Sequence, residues 1–203
     1  MNAVALERLA LPVVDVSAGA HGAIERFQRV RAAGVYDFSR EVAITARSLS
    51  GSPGVHIVTP LARAGTDTLL LVLRGWVYSP DAATIDFARW REPGAAAAEG
   101  FALPFDADKA QSDSSTLAPR AVRRLDRALL ERRLGAPVAP YFVVLTSSAV
   151  GDSVPVRLGR PALDEGPHFG YAVQWFLFAA IFGVGGSVVV LRGRRTSPAR
   201  SRE

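Results

Sequence analysis

His168 heads the constellation with the most chemical content in a chain of 203 residues that has no cysteine. Tyr171, Trp175, Phe178 and Phe182 follow at alternating spacings of three and four. A helix turns residues so spaced onto one face. A neutral imidazole above such rings can ligate a haem iron while the rings pack the macrocycle. The same residues also suit an interfacial histidine beside the aromatic belt of a membrane helix, and ring chemistry alone leaves both readings open. Gln174 falls about 1.5 turns inside the same segment, where a polar amide needs a neighbouring helix or a ligand as partner. Ala179, Gly183 and Ser187 form a small-x-x-x-small stripe that lets another helix approach closely. Its plainer reading is the frequency of small residues in an alanine-rich chain.

Other residues carry less. Arg74-Gly75-Trp76 reads either as a partner-docking or haem-facing surface, or as a core tryptophan beside a glycine that permits a bulge or close backbone approach. The second reading is the more economical, because tryptophan is highly buried on average. His56 reads as a strand residue, with no second histidine or carboxylate at a metal-ligand spacing. His21 lies in an irregular stretch. No G-x-S-x-G, H-E-x-x-H, phosphate loop or dinucleotide fingerprint occurs, and the carboxylates are scattered, so no enzyme is expected. The absence of cysteine excludes disulfides, thiolate copper sites, iron–sulfur ligation and C-x-x-C-H haem attachment.

The element that must position His168 is legible. Phe169 to Leu191 runs 23 residues without a charge, about 34 Å as a helix and long enough to cross a hydrocarbon core. Asp164 and Glu165 precede it; Arg192, Arg194, Arg195, Arg200 and Arg202 follow. This predicts a membrane helix over 167–191 with an arginine-rich cytoplasmic tail at 192–203. The formal charge of +5 sits mostly in that tail, since residues 1–191 hold 19 basic and 18 acidic side chains. The excess therefore marks membrane orientation and not a nucleic-acid footprint. A lone C-terminal helix would ordinarily leave the preceding domain in the cytoplasm and send the arginines across. A further membrane helix upstream of this sequence is therefore expected.

Residues 1–25 read as an irregular lead-in and 26–165 as one β-rich domain. Period-2 alternation marks strands from Phe27 to Tyr36 and around Val42–Ala46. Val55–Leu61 and the apolar run Thr68–Val77 follow, separated by turn clusters that favour antiparallel pairing. Residues 81–116 read as a long insertion, 120–134 as a helix, 141–146 as a strand, and 149–165 as an extended approach to the membrane. The expected fold is α+β, mainly antiparallel and partly barrel- or sandwich-like, with one or two helices and one C-terminal transmembrane helix.

Four phrases in this order carry a resemblance. They are Arg29-Val30-Arg31-Ala32-Ala33-Gly34-Val35-Tyr36, Gly54-Val55-His56-Ile57-Val58-Thr59-Pro60-Leu61, Val72-Leu73-Arg74-Gly75-Trp76-Val77, and Gly166-Pro167-His168-Phe169-Gly170-Tyr171-Ala172-Val173-Gln174-Trp175-Phe176. Together they resemble the Surfeit-locus group of cytochrome c oxidase assembly factors. The chain departs from that pattern at Leu73, where the family usually has asparagine, and in lacking the usual first membrane helix. The resemblance implies an assembly factor of the bacterial plasma membrane, its domain extracytoplasmic and its partners the oxidase subunits. It further implies haem A bound at His168, with Tyr171, Gln174 and Trp175 beside it, and delivered to the catalytic subunit. The alternative is a membrane-anchored scaffold that binds oxidase subunits without haem.

Overall fold

The alternating run from Arg29 and the apolar run from Leu69 both fold as strands of one sheet. A computed structural model describes residues 7–18, 24–92, 96–105, 120–146, 154–159 and 168–195. In chain order these form a helical turn at 7–10 (α1), then β1 (Val14–Asp15), β2 (Arg29–Tyr36), β3 (Val42–Leu49), β4 (Ser52–Ala62) and β5 (Leu69–Tyr78). They continue with β6 (Ala96–Pro104), β7 (Ala121–Val122), α2 (Arg127–Leu134), β8 (Val138–Leu145) and α3 (His168–Arg195). The chain divides into two compact units; the strands belong to the first, and the second begins at Leu163.

The sheet order is β1-β2-β6-β8-β5-β4-β3-β7. β3, β4 and β5 are joined as antiparallel neighbours, as the short turns predict. β5 and β8 run parallel, as do β1 with β2 and β3 with β7, so the sheet is mixed. β2 also touches β4, through Val35–Ala62 and Tyr36–Leu61. That contact curls the sheet back on itself at one end, and the sheet does not close into the barrel expected as one possibility. The curl gives β5 two buried faces. Leu70 and Val72 pack with Val30, Leu61, Ala102 and Val143, whereas Leu69, Leu71 and Leu73 pack with Ile44, Val58, Leu129, Leu130 and Leu134. Each fully buried leucine contributes about 1.5–3 kcal/mol relative to exposure. Leu73, where an asparagine amide is usual in the resembled family, is a core residue of this second face.

Three segments differ from the sequence reading. Residues 96–104, inside the expected insertion, form the interior strand β6 between β2 and β8. Its alanines have low β-propensity, and only pairing on both sides makes the segment a strand. The helix expected from Arg120 begins at Arg127, because Ala121 and Val122 pair with Ala43 and Ile44. Asp126 then caps α2 by accepting from the Leu129 amide at 2.8 Å. The lead-in is also engaged, Val14 pairing with Val30.

α3 covers His168–Arg195 as one 28-residue helix, and side-chain surroundings are described for residues 170–186. Among the described residues, no helix is long and apolar enough to cross a membrane. The transmembrane reading of 167–191 thus rests on the sequence.

Candidate functional site

Arg74 occupies a β-bulge. Ile57 pairs with Gly75 and Val58 with Leu73, so Arg74 is the extra residue on β5. A bulge re-aims its side chain out of the strict alternation, and here it buries the guanidinium completely. Nη1 donates to Glu41 Oε1 at 3.1 Å. Nη2 and Nε donate to Glu92 Oε1 at 2.7 and 3.1 Å, and Nη2 also to the Trp90 carbonyl. Thr59 Oγ1 donates to Glu41 Oε1 at 2.9 Å. The rings of Tyr36 and Phe38 each lie 5.5 Å from the guanidinium carbon, within cation–π range.

The same bulge frees the Arg74 carbonyl, which accepts from Arg157 Nη1 at 2.6 Å. Arg157 Nη2 donates to Glu92 Oε2 at 2.7 Å. Residues 154–159 lie along β5 beyond the end of its pairing with β8. There Trp76 and Val156 exchange both backbone hydrogen bonds at 2.8 Å. A Cβ on Gly75 would stand 2.4 Å from the Val156 carbonyl oxygen. The strap can therefore close only over a glycine. Gly54 serves the same end on β4: a Cβ there would meet the Trp76 indole nitrogen at 2.4 Å.

Burial pushes the Glu41 carboxyl above its usual range, opposed by the Thr59 hydroxyl and Arg74. Burial acts likewise on Glu92, but hydrogen bonds from Arg157 and Arg74 outweigh it and hold that carboxyl below the usual range. Tyr36 is raised to about 12, chiefly by burial. The charges in this cluster are turned on one another. Its chemistry is cohesion: it ties the end of β2, the turn at Phe38, Glu41, β4, the β5 bulge, the Trp90–Glu92 loop and the strap at one point. Arg74, Gly75 and Trp76, expected as one possibility to form a partner surface, are all buried, as the core reading has them.

α3 presents the opposite picture. Tyr171, Trp175 and Phe182 are 58%, 70% and 77% exposed. With Phe178 they follow one face, and the Trp175 and Phe178 rings meet edge-on at 6.1 Å. At about 100° per residue, Gln174 flanks this stripe on one side and Ala179 and Gly183 on the other. All three are exposed. His168 is the first residue of the helix; its side chain, and that of Ser187, lie outside the described surroundings. The exposed rings fit the flat apolar faces of a macrocycle, and an imidazole is a competent iron donor. His56 is part-buried on β4, and burial lowers it to about 4, aided by Arg47. Among the described residues no cluster of three or more metal-ligating side chains occurs.

Glu41, Glu92 and Arg157 escaped the sequence reading. Lone charges in loops have no periodic signature, and their partners are 18 to 83 residues away. The signal that did exist was the phrases themselves. Tyr36, Thr59 and Arg74 come from three different ones and converge here.

A family model described as the SURF1 family matches residues 1–180, which include all four phrases. No curated protein matches the chain significantly.

Proposed function

The chain belongs to the SURF1 family, and on that premise we propose that it binds haem A on α3 and aids its delivery during cytochrome c oxidase assembly. Family membership implies a role in cytochrome c oxidase assembly, and the family's members are assembly factors. The observation that carries the finer reading is the exposed aromatic face of α3. A soluble domain rarely leaves rings such as Trp175 and Phe182 so open; a membrane, a cofactor or a partner helix has to cover them.

In this reading α3 anchors the protein through the uncharged run Phe169–Leu191, with the β domain on the extracytoplasmic side and the arginine-rich tail in the cytoplasm. His168 supplies the iron ligand. Tyr171 and Trp175 wall the macrocycle, and Gln174 offers an amide at its edge. The haem itself supplies a redox-active iron destined for the oxidase. Ala179, Gly183 and Ser187 provide the close-approach surface for a helix of an oxidase subunit.

The test is oxidase maturation in cells carrying His168→Ala or Trp175→Leu in the chromosomal copy. The haem reading expects an oxidase deficient in haem A although the variant protein accumulates normally. Normal haem content in both strains, with oxidase subunits still co-purifying, contradicts it and favours a scaffold that acts without haem.

A further inference from the structure

The C-terminal end of β5 carries a small apolar face that the fold leaves open. Tyr78 and Val156 are 60% and 50% exposed there. The register puts them on one side of the sheet. Val156 is bridged directly to Trp76, and directly opposed residues of an antiparallel pair share a face. Tyr78 lies two residues beyond Trp76 and shares that face too; the two rings meet edge-on at 6.5 Å. Trp76 itself is buried and backs the other two.

What surrounds this face brings little charge. His56 pairs with Trp76 and Gly54 with Tyr78, so β4 adds an imidazole and bare backbone to the same side. Burial lowers His56 to about 4, aided by Arg47, which leaves the ring uncharged near neutrality. Asp81, the carboxylate nearest to Tyr78 in the chain, is engaged by Ser79, Ala83 and Thr84. Arg47, paired with Gly54 from β3, stands at the border and donates to the Arg123 carbonyl at 2.9 Å.

We propose that Tyr78 and Val156, backed by Trp76, seat in the interfacial layer of a lipid bilayer. A tyrosine has an apolar ring and a polar tip, the shape that collects where headgroups meet acyl chains. Two exposed side chains are too little for a protein partner, since a stable interface takes about 800 Å² from each side. A bilayer sets no such minimum once another segment holds the protein there, because each apolar contact adds to the existing anchor. The chain brings that anchor within reach. From Val156 to His168, the first residue of α3, the chain spans about 43 Å at full extension. The inference rests on α3 being the membrane anchor.

The chain has no cysteine, so single cysteines can be spin-labelled in the full chain in phosphatidylcholine nanodiscs. The reading is the ratio of collisions with oxygen, which enters lipid, to collisions with a water-soluble nickel chelate. Val156→Cys and Tyr78→Cys report the face. Val35→Cys reports the other end of the sheet: Val35 pairs with Ala62, about 26 Å along β4 from Gly54. Phe182→Cys reports α3. The ratio should be severalfold higher at 156 and 78 than at 35, in high salt as in dilute buffer. Adding Tyr78→Asp to Val156→Cys should bring the ratio at 156 down to that at 35, while the Trp76 and Val156 amides stay protected from exchange. Ratios at 156 and 78 no higher than at 35, with 182 in lipid, overturn the proposal and leave the anchor reading standing, as does a ratio that Tyr78→Asp fails to lower. A label at 182 that meets nickel as freely as one at 35 removes the anchor, and this proposal with it. A ratio at 156 that rises only when an oxidase subunit is added also overturns it, and assigns the face to that protein.

Discussion

Three of the four phrases that mark the family fold inward, and the fourth faces outward. Tyr36, Thr59 and Arg74 meet in a closed ionic knot, with Gly54 and Gly75 letting Trp76 and the strap pack against bare backbone. On α3, Tyr171, Trp175 and Phe182 stand open. The two regions look alike in sequence, short runs of aromatic, charged and small residues, yet one holds the domain together and the other presents side chains. Burial separates them. A substitution in the knot should change stability first, and one on α3 should change binding while leaving the β domain intact.

The largest expected effect is at Arg74. Arg74→Met removes the cation between two acids, one fully buried and one largely so, and should destabilise the β domain by about 3–5 kcal/mol, read from the urea midpoint of the full chain in detergent. Adding Glu41→Gln should recover part of that loss, because the orphaned charge is then gone. A fully additive double variant would mean that the two side chains are not coupled.

Gly75→Ala comes next. Its Cβ would press on the Val156 carbonyl oxygen at 2.4 Å. The strap must then lift, at about 2–3 kcal/mol. Hydrogen exchange should show the Trp76 and Val156 amides losing protection together; retained protection at both would show that the strap tolerates the methyl group. Arg157→Gln, which keeps the strap backbone but loses the bonds to Glu92, should cost about 1–2 kcal/mol.

The remaining effect is a pH dependence. His56 titrates at about 4 in the fold against 6.5 when free. The unfolded chain therefore binds the extra proton first, and stability should decline as pH falls from about 6.5 to about 4. Protonation of Glu92, held low in the fold, adds a loss at still lower pH. His56→Gln should flatten the upper part of the profile, and an unchanged slope there would place the titrating group elsewhere.

Most of the sheet was legible because alternation and turn chemistry are local. β2, β4 and β5 appear within a few residues of their ends. β6 was not legible, since four alanines in a row carry no strand signal and the pairing of residues 96–101 with Arg29–Gly34 is long-range. The mixed topology was hidden for the same reason: β5 and β8 pair in parallel across more than sixty residues. The bulge at Arg74 needs the register of β4 to define it, so its burial could be weighed from the sequence but not fixed. On α3 the helix and its aromatic face follow from spacing alone, whereas what covers that face depends on molecules outside the chain.

The visible absorption spectrum of the full chain, purified in detergent from cells that make haem A, tests the division of labour most directly. It should be recorded beside the urea midpoint of the β domain for the parent, His168→Ala and His56→Ala. The account predicts a Soret band in the parent and in His56→Ala, its loss in His168→Ala, and a midpoint for His168→Ala within about 0.5 kcal/mol of the parent. A full Soret band in His168→Ala, or a band lost only together with β-domain stability, would contradict it.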